Sequence, residues 1–336
     1  MTASLLGKSE SSWGLSLAHP VVCIVGPTAS GKTDVAQLVA KGLESLHGGC
    51  GVVVSADSMQ IYRGMDIGTG KIAPEEMVVD HFGLDICDPG QAYSAALFQE
   101  YARDVFSTQD NRGNTCVLAG GTGLYVRAAI DDYRFPKGDQ VGNPTREKWQ
   151  AFLDSHGAQE LWNELHRVDP ESAALIHANN SKRVIRAFEM LELEGTSYAR
   201  QHAGFATMKQ FVPACFFSLE VDPELLYARI DARVDRMFEQ GLVDEVCRLI
   251  DAGFKSAVTA RDAIGYKEVV WALDGQCSLH EAKEAIKQAS RRYSKRQRSW
   301  WRSDERIVPV DANDGDCERI SMWILNYLAH AEHRTA

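Results

Sequence analysis

The stretch that decides the fold runs from Val21 to Thr33 and reads VVCIVGPTASGKT. Its first five residues are apolar and rich in β-branched side chains, which is typical of a buried parallel strand ending at Gly26. From Thr33 the apolar residues recur at helical spacing until Gly48, so a helix begins where the loop ends. Residues 26–33 thus satisfy G-x-x-x-x-G-K-[ST] between a strand and a helix.

This loop predicts a site for a diphosphate or a triphosphate. Its glycines let backbone N–H groups converge on phosphate oxygens at the positive end of a helix. Lys32 adds a point charge, and the Thr33 hydroxyl is suited to Mg²⁺. The motif alone does not say which phosphate ester is bound, and a plain glycine turn is the bland alternative.

Further along the chain, strand-like and helix-like segments alternate. Gly51 to Ala56 and Thr115 to Ala119 read as buried strands, with a helical stretch from Ser94 to Phe106 between them. This alternation, with the loop, predicts an α/β fold: a P-loop NTPase-like parallel sheet with helices on both faces. The second half of the chain adds a strand, two helical stretches and a last strand: Phe211 to Val221, Pro223 to about Trp271, Leu279 to Trp301 and Ile307 to Val310.

The pattern changes between these two halves. Asp131 to Pro144 carries charges, two glycines and two prolines, and short amphipathic helices rich in Trp, His and Glu follow. We therefore expect a helical insertion domain over residues 131–204, set into a core domain of residues 20–130 and 205–336. Residues 1–19 are expected to form a flexible tail.

Composition excludes several classes of protein. The 336 residues are 45% hydrophobic and 24% charged, which does not fit a disordered or fibrous chain. The formal charge of −10 means that a polyanion must meet a local basic surface. Eight cysteines without C-x-x-C spacing indicate reduced thiols and a cytoplasmic protein. No window reaches roughly 18 consecutive apolar residues, so no membrane span is expected.

Asp57 is the first candidate for chemistry outside the loop. It follows the strand from Gly51 to Ala56, at the sheet edge where open α/β proteins bind ligands. It would serve as a magnesium acid or as a base. The strand ending at Ala119 runs instead into Gly120-Gly121-Thr122-Gly123, which offers a hydroxyl but no carboxylate. The second acid typical of a nucleotide hydrolase or kinase is therefore missing there.

From Asp57 to Thr69 the sequence reads DSMQIYRGMDIGT, and with the GPTASGKT loop it resembles the tRNA dimethylallyltransferase (tRNA isopentenyltransferase) family. The chain ends at Ala336 without the zinc-finger tail of many eukaryotic relatives, so a bacterial type is expected. Further blocks follow in the family's order: His81, Asp85, Asp88-Pro89, Tyr93-Ser94, Gly120 to Tyr125, Val168 to Pro170, Lys182 to Ala187, Ile264 to Glu268 and Tyr293 to Gln297.

The resemblance implies transfer of a dimethylallyl group from dimethylallyl diphosphate to N6 of the adenosine at position 37 of tRNA, next to the anticodon. Diphosphate would be released, with Mg²⁺ as cofactor and Thr33 as its ligand. The loop would then hold diphosphate and not ATP. The residues assigned to it are Gly26, Thr28, Ala29, Ser30, Gly31, Lys32 and Thr33. The protein is expected to be a monomer and to have no membrane partner.

Three catalytic residues follow from the same resemblance. Asp57 would take the N6 proton as the C–N bond forms, because an exocyclic adenine amine is a poor nucleophile. Thr122 and Arg233 would stabilise the charge that builds on the departing diphosphate. Arg229, one turn earlier, is the rival of Arg233. The alternatives are structural: Asp57 as a cap or magnesium ligand, Thr122 as a turn residue, and Arg233 paired with neighbouring aspartates on a solvated helix face.

Several residues are expected to bind tRNA. The adenine must leave its stack to reach a carboxylate, and the resemblance implies that Ser58, Met59 and Gln60 line its pocket beside Asp57 and Thr122. Met59 as a core residue is the alternative. Residues 290–306 carry seven basic side chains against two acidic ones, which suits a phosphate backbone or a solvated helix. The remaining predicted contacts are Arg146, Lys182, Arg183, Val184, Ile185, Arg186, Arg292 and Arg296.

Other functions fit parts of this pattern. A relative that prenylates free adenine nucleotides would share the loop and Asp57, yet it can dispense with an insertion that grips an anticodon. A phosphotransferase would use ATP at the same loop, and a non-catalytic RNA-binding regulator would need only the basic surfaces. The insertion over residues 131–204 and the basic run after Ser290 favour tRNA as substrate.

Overall fold

A computed structural model of the chain describes residues 14–135, 143–206, 208–302 and 304–332. Most of the tail predicted over residues 1–19 lies outside these ranges. The chain divides into two compact units, one up to Asp131 and from Gln210 onward, the other Asp132–Lys209. We call the first the sheet unit and the second the helical unit.

Six strands form one sheet in the sheet unit. Its order is β3-β2-β4-β1-β5-β6, and each neighbouring pair is parallel. The predicted strands are confirmed, whereas the two-residue edge strand β3 was not foreseen. The strands are β1 Val21–Val25, β2 Gly51–Ser55, β3 His81–Phe82, β4 Thr115–Gly120, β5 Ala214–Glu220 and β6 Ile307–Asp311.

The helices surround this sheet or build the helical unit. They are α1 Lys32–His47, α2 Ala95–Asp110, α3 Gly123–Ile130, α4 Pro144–Val168, α5 Pro170–Leu175, α6 Ser181–Glu194, α7 Tyr198–Ala206, α8 Pro223–Glu239, α9 Leu242–Asp251, α10 Tyr266–Leu273, α11 Leu279–Trp301 and α12 Cys317–Glu332. Short 3₁₀ turns lie at Pro74–Glu76, Phe254–Ser256 and Ala260–Asp262. None of the described helices is both long and apolar enough to cross a lipid bilayer.

Both faces of the sheet are buried. Val22 and Ile24 of β1 belong to a core cluster that also holds side chains of α1, α8 and α12. The alternate residues Val21, Cys23 and Val25 are buried as well, and α2 contacts β4. A strand that is covered on both faces reads as a continuous apolar run, which is why residues 21–25 show no alternation. The predicted α/β class is confirmed.

The helical unit has its own core. Leu161, Leu165 and Phe188 are buried together, and the Trp149 ring stacks on the Phe188 ring with centroids 3.6 Å apart. Helix α4 is interrupted at Gly157, whose φ of 83° is non-helical. Such a left-handed conformation costs a glycine little, so the break falls where the sequence tolerates it.

Candidate active site

The phosphate loop begins and ends as the motif predicts. Gly31 precedes α1 as its N-cap with φ 85°, a left-handed conformation that favours glycine. Gly26 has φ 143°, and a Cβ built on it would lie 3.0 Å from the Leu219 carbonyl oxygen of β5. The loop therefore passes so close to the neighbouring strand that only glycine fits at position 26 without strain.

Gln297 of α11 holds the loop in place. Its Oε1 accepts a hydrogen bond from the Thr28 N–H at 2.8 Å, and its Nε2 donates to the Gly121 carbonyl oxygen at 3.1 Å. A Cβ on Gly121 would lie 2.0 Å from that Nε2, so this approach requires glycine. Gln297 was not among the predicted site residues, although it ends one of the family blocks. It joins the loop to the carboxyl end of β4.

Two side chains of the loop are suited to binding an anion. Lys32 Nζ donates to the Pro27 carbonyl oxygen at 2.5 Å. Burial lowers the pKa of Lys32 to about 7, against the opposing effect of Asp57. Ser30 is buried, and within the described residues its Oγ has no hydrogen-bond partner. A buried hydroxyl without a partner in an anion-binding loop is suited to a ligand oxygen.

Asp57 and Thr122 lie at adjacent strand ends. One oxygen of Asp57, Oδ1, accepts a hydrogen bond from the Met59 N–H at 2.9 Å. Thr122, the N-cap of α3, accepts from the Ser58 N–H at 3.2 Å and donates to Ser58 Oγ at 3.4 Å. The Asp57 segment is thus fixed by its own turn and by the end of β4. Across the described chain, the second Asp57 oxygen has no hydrogen-bond partner.

Arg233 of α8 reaches the loop directly. Its Nη1 donates to Thr28 Oγ1 at 2.9 Å, and its Nη2 donates to the Thr69 carbonyl oxygen at 2.8 Å. Gly70 has φ 60°, and a Cβ there would lie 2.1 Å from the same Nη2. Burial lowers the pKa of Arg233, while the Asp57 charge opposes that shift. The guanidinium therefore lies among neutral partners near one carboxylate.

Arg229 and the aspartates next to Arg233 have other hydrogen-bond or ion-pair partners. Arg229 lines the same cavity as Lys32, but it donates to the Ala312 and Asn313 carbonyl oxygens at 3.1 and 2.6 Å, so it binds the turn after β6. The aspartates beside Arg233 pair with α11 instead. These contacts are Asp231 with Arg291 at 2.5 Å, and Asp235 with Lys283 at 2.7 Å and with Lys287 at 2.9 Å.

Two cavities of about 450 and 530 Å³ adjoin these residues. We name the smaller the α11 cavity, since Arg292 and Arg296 of that helix line it with Ser58 and Met59. The larger is the loop cavity, which Lys32 lines with four more of the predicted loop residues, Thr28, Ala29, Gly31 and Thr33, whereas Gly26 and Ser30 do not line it. The residues that line both cavities are Thr28, Asp57, Thr69, Arg233 and Tyr293.

From the sequence, Tyr293 could either stack on a base or pack on the core, and it was not assigned to the active site. Burial, with the nearby Asp57 charge, raises the pKa of Tyr293 to about 12. Its hydroxyl is therefore protonated at neutral pH, and it lies between the two cavities.

The three residues predicted to line the adenine pocket beside Asp57 do not all line one cavity. Gln60 lines the loop cavity and not the α11 cavity that Ser58 and Met59 line. Its Oε1 accepts from Ser55 Oγ at 2.9 Å, and its Nε2 donates to the Gly70 carbonyl oxygen at 3.2 Å. Because both ends of the amide are engaged within the protein, a direct contact with a base edge does not fit this geometry.

Magnesium suits the loop cavity on its donor chemistry. Thr33 and Asp57 both line that cavity with oxygen atoms. No group of three or more His, Cys, Asp or Glu side chains is arranged as a metal site among the described residues. Mg²⁺ commonly keeps several waters and takes only one or two protein ligands beside substrate phosphates. A threonine hydroxyl next to a bound diphosphate is consistent with this mode of coordination.

The predicted tRNA contacts of the helical unit fall into three groups. Lys182 and Arg183 are exposed on α6. Arg146 and Arg186 both bind the buried carboxylate of Glu189, at 2.6 and 2.9 Å. Val184 and Ile185 are 0% and 4% exposed in the core of the unit, so a contact of their side chains with tRNA does not fit the structure.

The fold and this geometry define the class of protein first. An anion-binding loop at the carboxyl edge of a parallel sheet lies beside the Asp57 carboxylate, at the boundary of two cavities, and one oxygen of that carboxylate has no hydrogen-bond partner in the part of the chain that the structure describes. This is the arrangement of an enzyme that handles a phosphate ester beside a proton acceptor.

Comparison with known proteins then gives the family. A family model described as IPP transferase matches residues 60–304. The tRNA dimethylallyltransferase of Halalkalibacterium halodurans is 42% identical over 319 residues, which cover 93% of this chain and 98% of the relative. That of Kineococcus radiotolerans is 43% identical, covering 88% and 92%. The chain belongs to the tRNA dimethylallyltransferase family, which confirms the prediction made from the motif blocks.

Solved structures agree with this assignment. The full-length tRNA isopentenylpyrophosphate transferase from Bacillus halodurans superposes with a TM-score of 0.66 at 40% identity, covering 94% of this chain and 97% of that one. A eukaryotic dimethylallyltransferase acting on tRNA gives a TM-score of 0.73 at 25% identity, covering 91% and 77%. Both likenesses extend over nearly all of the chain.

Proposed function

We propose that this protein transfers a dimethylallyl group from dimethylallyl diphosphate to N6 of the adenosine at position 37 of tRNA, next to the anticodon, and releases diphosphate. One observation carries the proposal: Asp57 and Arg233 line both cavities, and Lys32 of the phosphate loop lines the loop cavity. A diphosphate in the loop cavity and an adenine in the α11 cavity would meet at these two side chains.

The reaction joins the two substrates directly. The N6 nitrogen attacks the allylic carbon, the carbon–oxygen bond to diphosphate breaks, and the leaving group departs with the electron pair. The N6 proton passes to the Asp57 oxygen that has no hydrogen-bond partner among the described residues, since a positioned carboxylate compensates for the weak nucleophilicity of the amine. Holding both substrates in line converts a bimolecular step into one within a complex.

Donors of the phosphate loop and of Arg233 stabilise the charge on the departing diphosphate. Lys32, Arg233 and the backbone N–H groups of the loop present donors in a site that is already organised, so little reorganisation accompanies bond cleavage. Thr33 would hold Mg²⁺, which when bound neutralises part of the diphosphate charge. We assign Thr122 to positioning the Asp57 segment, because its hydroxyl is engaged with Ser58.

The tRNA would lie against basic groups of both units. Arg292 and Arg296 are exposed on α11 and line the cavity proposed for adenine. Lys182 and Arg183 are exposed on α6 of the helical unit. An anticodon loop would present its phosphates to such groups while one base is flipped out. We also propose that the protein acts as a monomer, since residues of one chain line both cavities.

The test uses unmodified tRNA and the allylic donor. The protein is incubated with dimethylallyl diphosphate, Mg²⁺ and either tRNA or AMP, and the nucleosides are analysed by mass spectrometry. We expect a five-carbon addition on one adenosine of tRNA and little modification of AMP. Efficient prenylation of AMP with none of tRNA would contradict the proposal, and binding of ATP far tighter than of the allylic donor would favour a phosphotransferase.

A further inference from the structure

We propose that Glu245 is a positioning residue for the transfer reaction: it fixes the segment Asp66 to Gly70 so that Thr69 holds Arg233 against the phosphate loop. Glu245 lies on α9, and it lines neither cavity described above. The inference rests on the proposed function, because it concerns the step in which diphosphate leaves.

Glu245 binds three consecutive backbone N–H groups. The carboxylate is 2% exposed, and it accepts from the N–H groups of Asp66 at 3.2 Å, Ile67 at 2.8 Å and Gly68 at 3.2 Å. It also accepts from the Tyr266 hydroxyl at 2.6 Å. A buried carboxylate is tolerated only when its oxygens are satisfied, and here four donors from two segments satisfy it.

Tyr266 closes the other side of the segment. Its ring is fully buried, and a Cβ built on Gly68 would lie 2.4 Å from the ring atom Cε2. Burial and the neighbouring Glu245 charge hold the pKa of Tyr266 well above its ordinary value, so the hydroxyl remains a donor. The segment is thus held between an aromatic face and a carboxylate, with no room for a side chain at position 68.

This segment determines where Arg233 lies. The Thr69 carbonyl oxygen follows directly after the anchored N–H groups and accepts from Arg233 Nη2. The other guanidinium nitrogen binds Thr28 of the phosphate loop. Gly70 leaves space for the guanidinium that any larger residue would fill. A shift of the segment would therefore move Arg233, and a small displacement of such a donor weakens its stabilisation of the leaving group.

A double-mutant cycle separates positioning from general stability. The variants are Glu245→Gln, Arg233→Ala and both together, and kcat is measured with saturating tRNA and dimethylallyl diphosphate, at a temperature where thermal unfolding shows each variant to be folded. If Glu245 acts through Arg233, Glu245→Gln lowers kcat about tenfold in the natural protein and less than about threefold when Arg233 is already Ala. An equal fold-loss in both backgrounds would overturn the inference.

Two further variants keep the test interpretable. Asp131→Asn alters another fully buried carboxylate, which binds Arg127 and Arg306 and none of the residues above, and its effect should be the same in both backgrounds. Tyr266→Phe removes one of the four donors and serves if Glu245→Gln does not fold; its smaller loss of kcat should likewise shrink when Arg233 is Ala. If the natural protein transfers nothing to tRNA, the proposed function fails and the inference falls with it, whereas transfer with equal fold-losses in both backgrounds overturns the inference alone.

Discussion

Arg233 of the sheet unit and the pair Arg146 and Arg186 of the helical unit have different kinds of partner. In the sheet unit, Arg233 donates to a hydroxyl and to a carbonyl oxygen, both neutral. In the helical unit, Arg146 and Arg186 share the carboxylate of Glu189, which is 1% exposed. Neutral acceptors orient a guanidinium without cancelling its charge, whereas a shared carboxylate orients two guanidiniums and cancels one of their two charges.

The two arrangements suit two different functions. A diphosphate leaving group needs uncancelled positive charge at a fixed point, which Arg233 supplies. A nucleic acid backbone is bound by many weak contacts spread over a surface, so partly neutralised but well-oriented arginines are sufficient there. Changes at Arg233 should therefore affect turnover, and changes at Arg146 or Arg186 should affect binding or stability.

The largest effect is expected at Asp57. Asp57→Ala removes the proton acceptor, and turnover should fall by about 10²-fold or more while the affinity for tRNA is preserved. Single-turnover transfer of labelled donor gives the first quantity and filter binding the second. Normal turnover in this variant would overturn the catalytic role of Asp57.

The next largest effect is expected at Arg233, with Arg229 as its matched control on the same helix. Arg233→Ala should lower kcat by about tenfold to a hundredfold, because one charged donor to the leaving group is lost. Arg229 also lines the loop cavity, but its hydrogen bonds go to the turn after β6 and not to the loop, so Arg229→Ala should lower the melting temperature with a smaller change in kcat. Equal losses of kcat would mean that contact with the loop does not matter.

The charge of Lys32 should appear in the pH dependence of diphosphate binding. Burial lowers the pKa of its ammonium to about 7, so the free protein loses this charge as the pH rises above that value. Affinity for inorganic diphosphate should then fall by at most about tenfold per pH unit, and binding at pH 8 should take up a proton. Calorimetry in buffers of different ionisation enthalpy measures both. Lys32→Arg stays charged and should lose this dependence.

A smaller effect is expected on the exposed face of α11. Arg292→Ala or Arg296→Ala should weaken tRNA binding several-fold and reduce its salt dependence by about one unit of slope for each lost phosphate contact. The control is Lys295→Ala on the same helix, which does not line the α11 cavity and whose ammonium lies over the Tyr227 ring. A lower kcat with unchanged tRNA affinity would place these arginines with Arg233 instead.

The smallest effect concerns Glu189, and it is confined to acid pH. Burial alone would raise the pKa of Glu189, but hydrogen bonds from Arg146 and Arg186 outweigh it and leave the pKa below its ordinary value. The unfolded state then binds more protons, so this contribution to stability is present above the ordinary pKa and is lost as the pH falls. Urea unfolding between neutral and acid pH should show a shallower loss in Glu189→Gln.

Sequence predicted the parts of the site that are local in the chain. The strand, loop and helix from Val21 onward are decided by neighbouring residues, and Asp57 follows from its place at a strand end. Gln297, Tyr293 and Glu245 come to the site from distant helices, and only the folded chain brings them there. No spacing rule links Gln297 to the Thr28 N–H.

Some misses had a signal in the sequence. Val184, Ile185 and Phe188 are apolar at helical spacing, and this pattern alone indicates a buried face. The same family block also contains the basic residues Lys182, Arg183 and Arg186, which favour binding of a nucleic acid. The last helix, α12, carries apolar residues at positions such as Ile320, Ile324 and Leu328, which is core spacing for a helix. The strand β3 had no such signal, since two residues are too short to show a period.

The central claim is that two substrates meet between the phosphate loop and Asp57. The most direct measurement is a crystal structure of the protein with tRNA and a non-reactive thio analogue of dimethylallyl diphosphate. The account predicts a flipped adenine with N6 beside the Asp57 carboxylate and about 3–3.5 Å from the allylic carbon, with the diphosphate in the loop around Lys32. An adenine and an allylic chain bound in places that do not adjoin would contradict it.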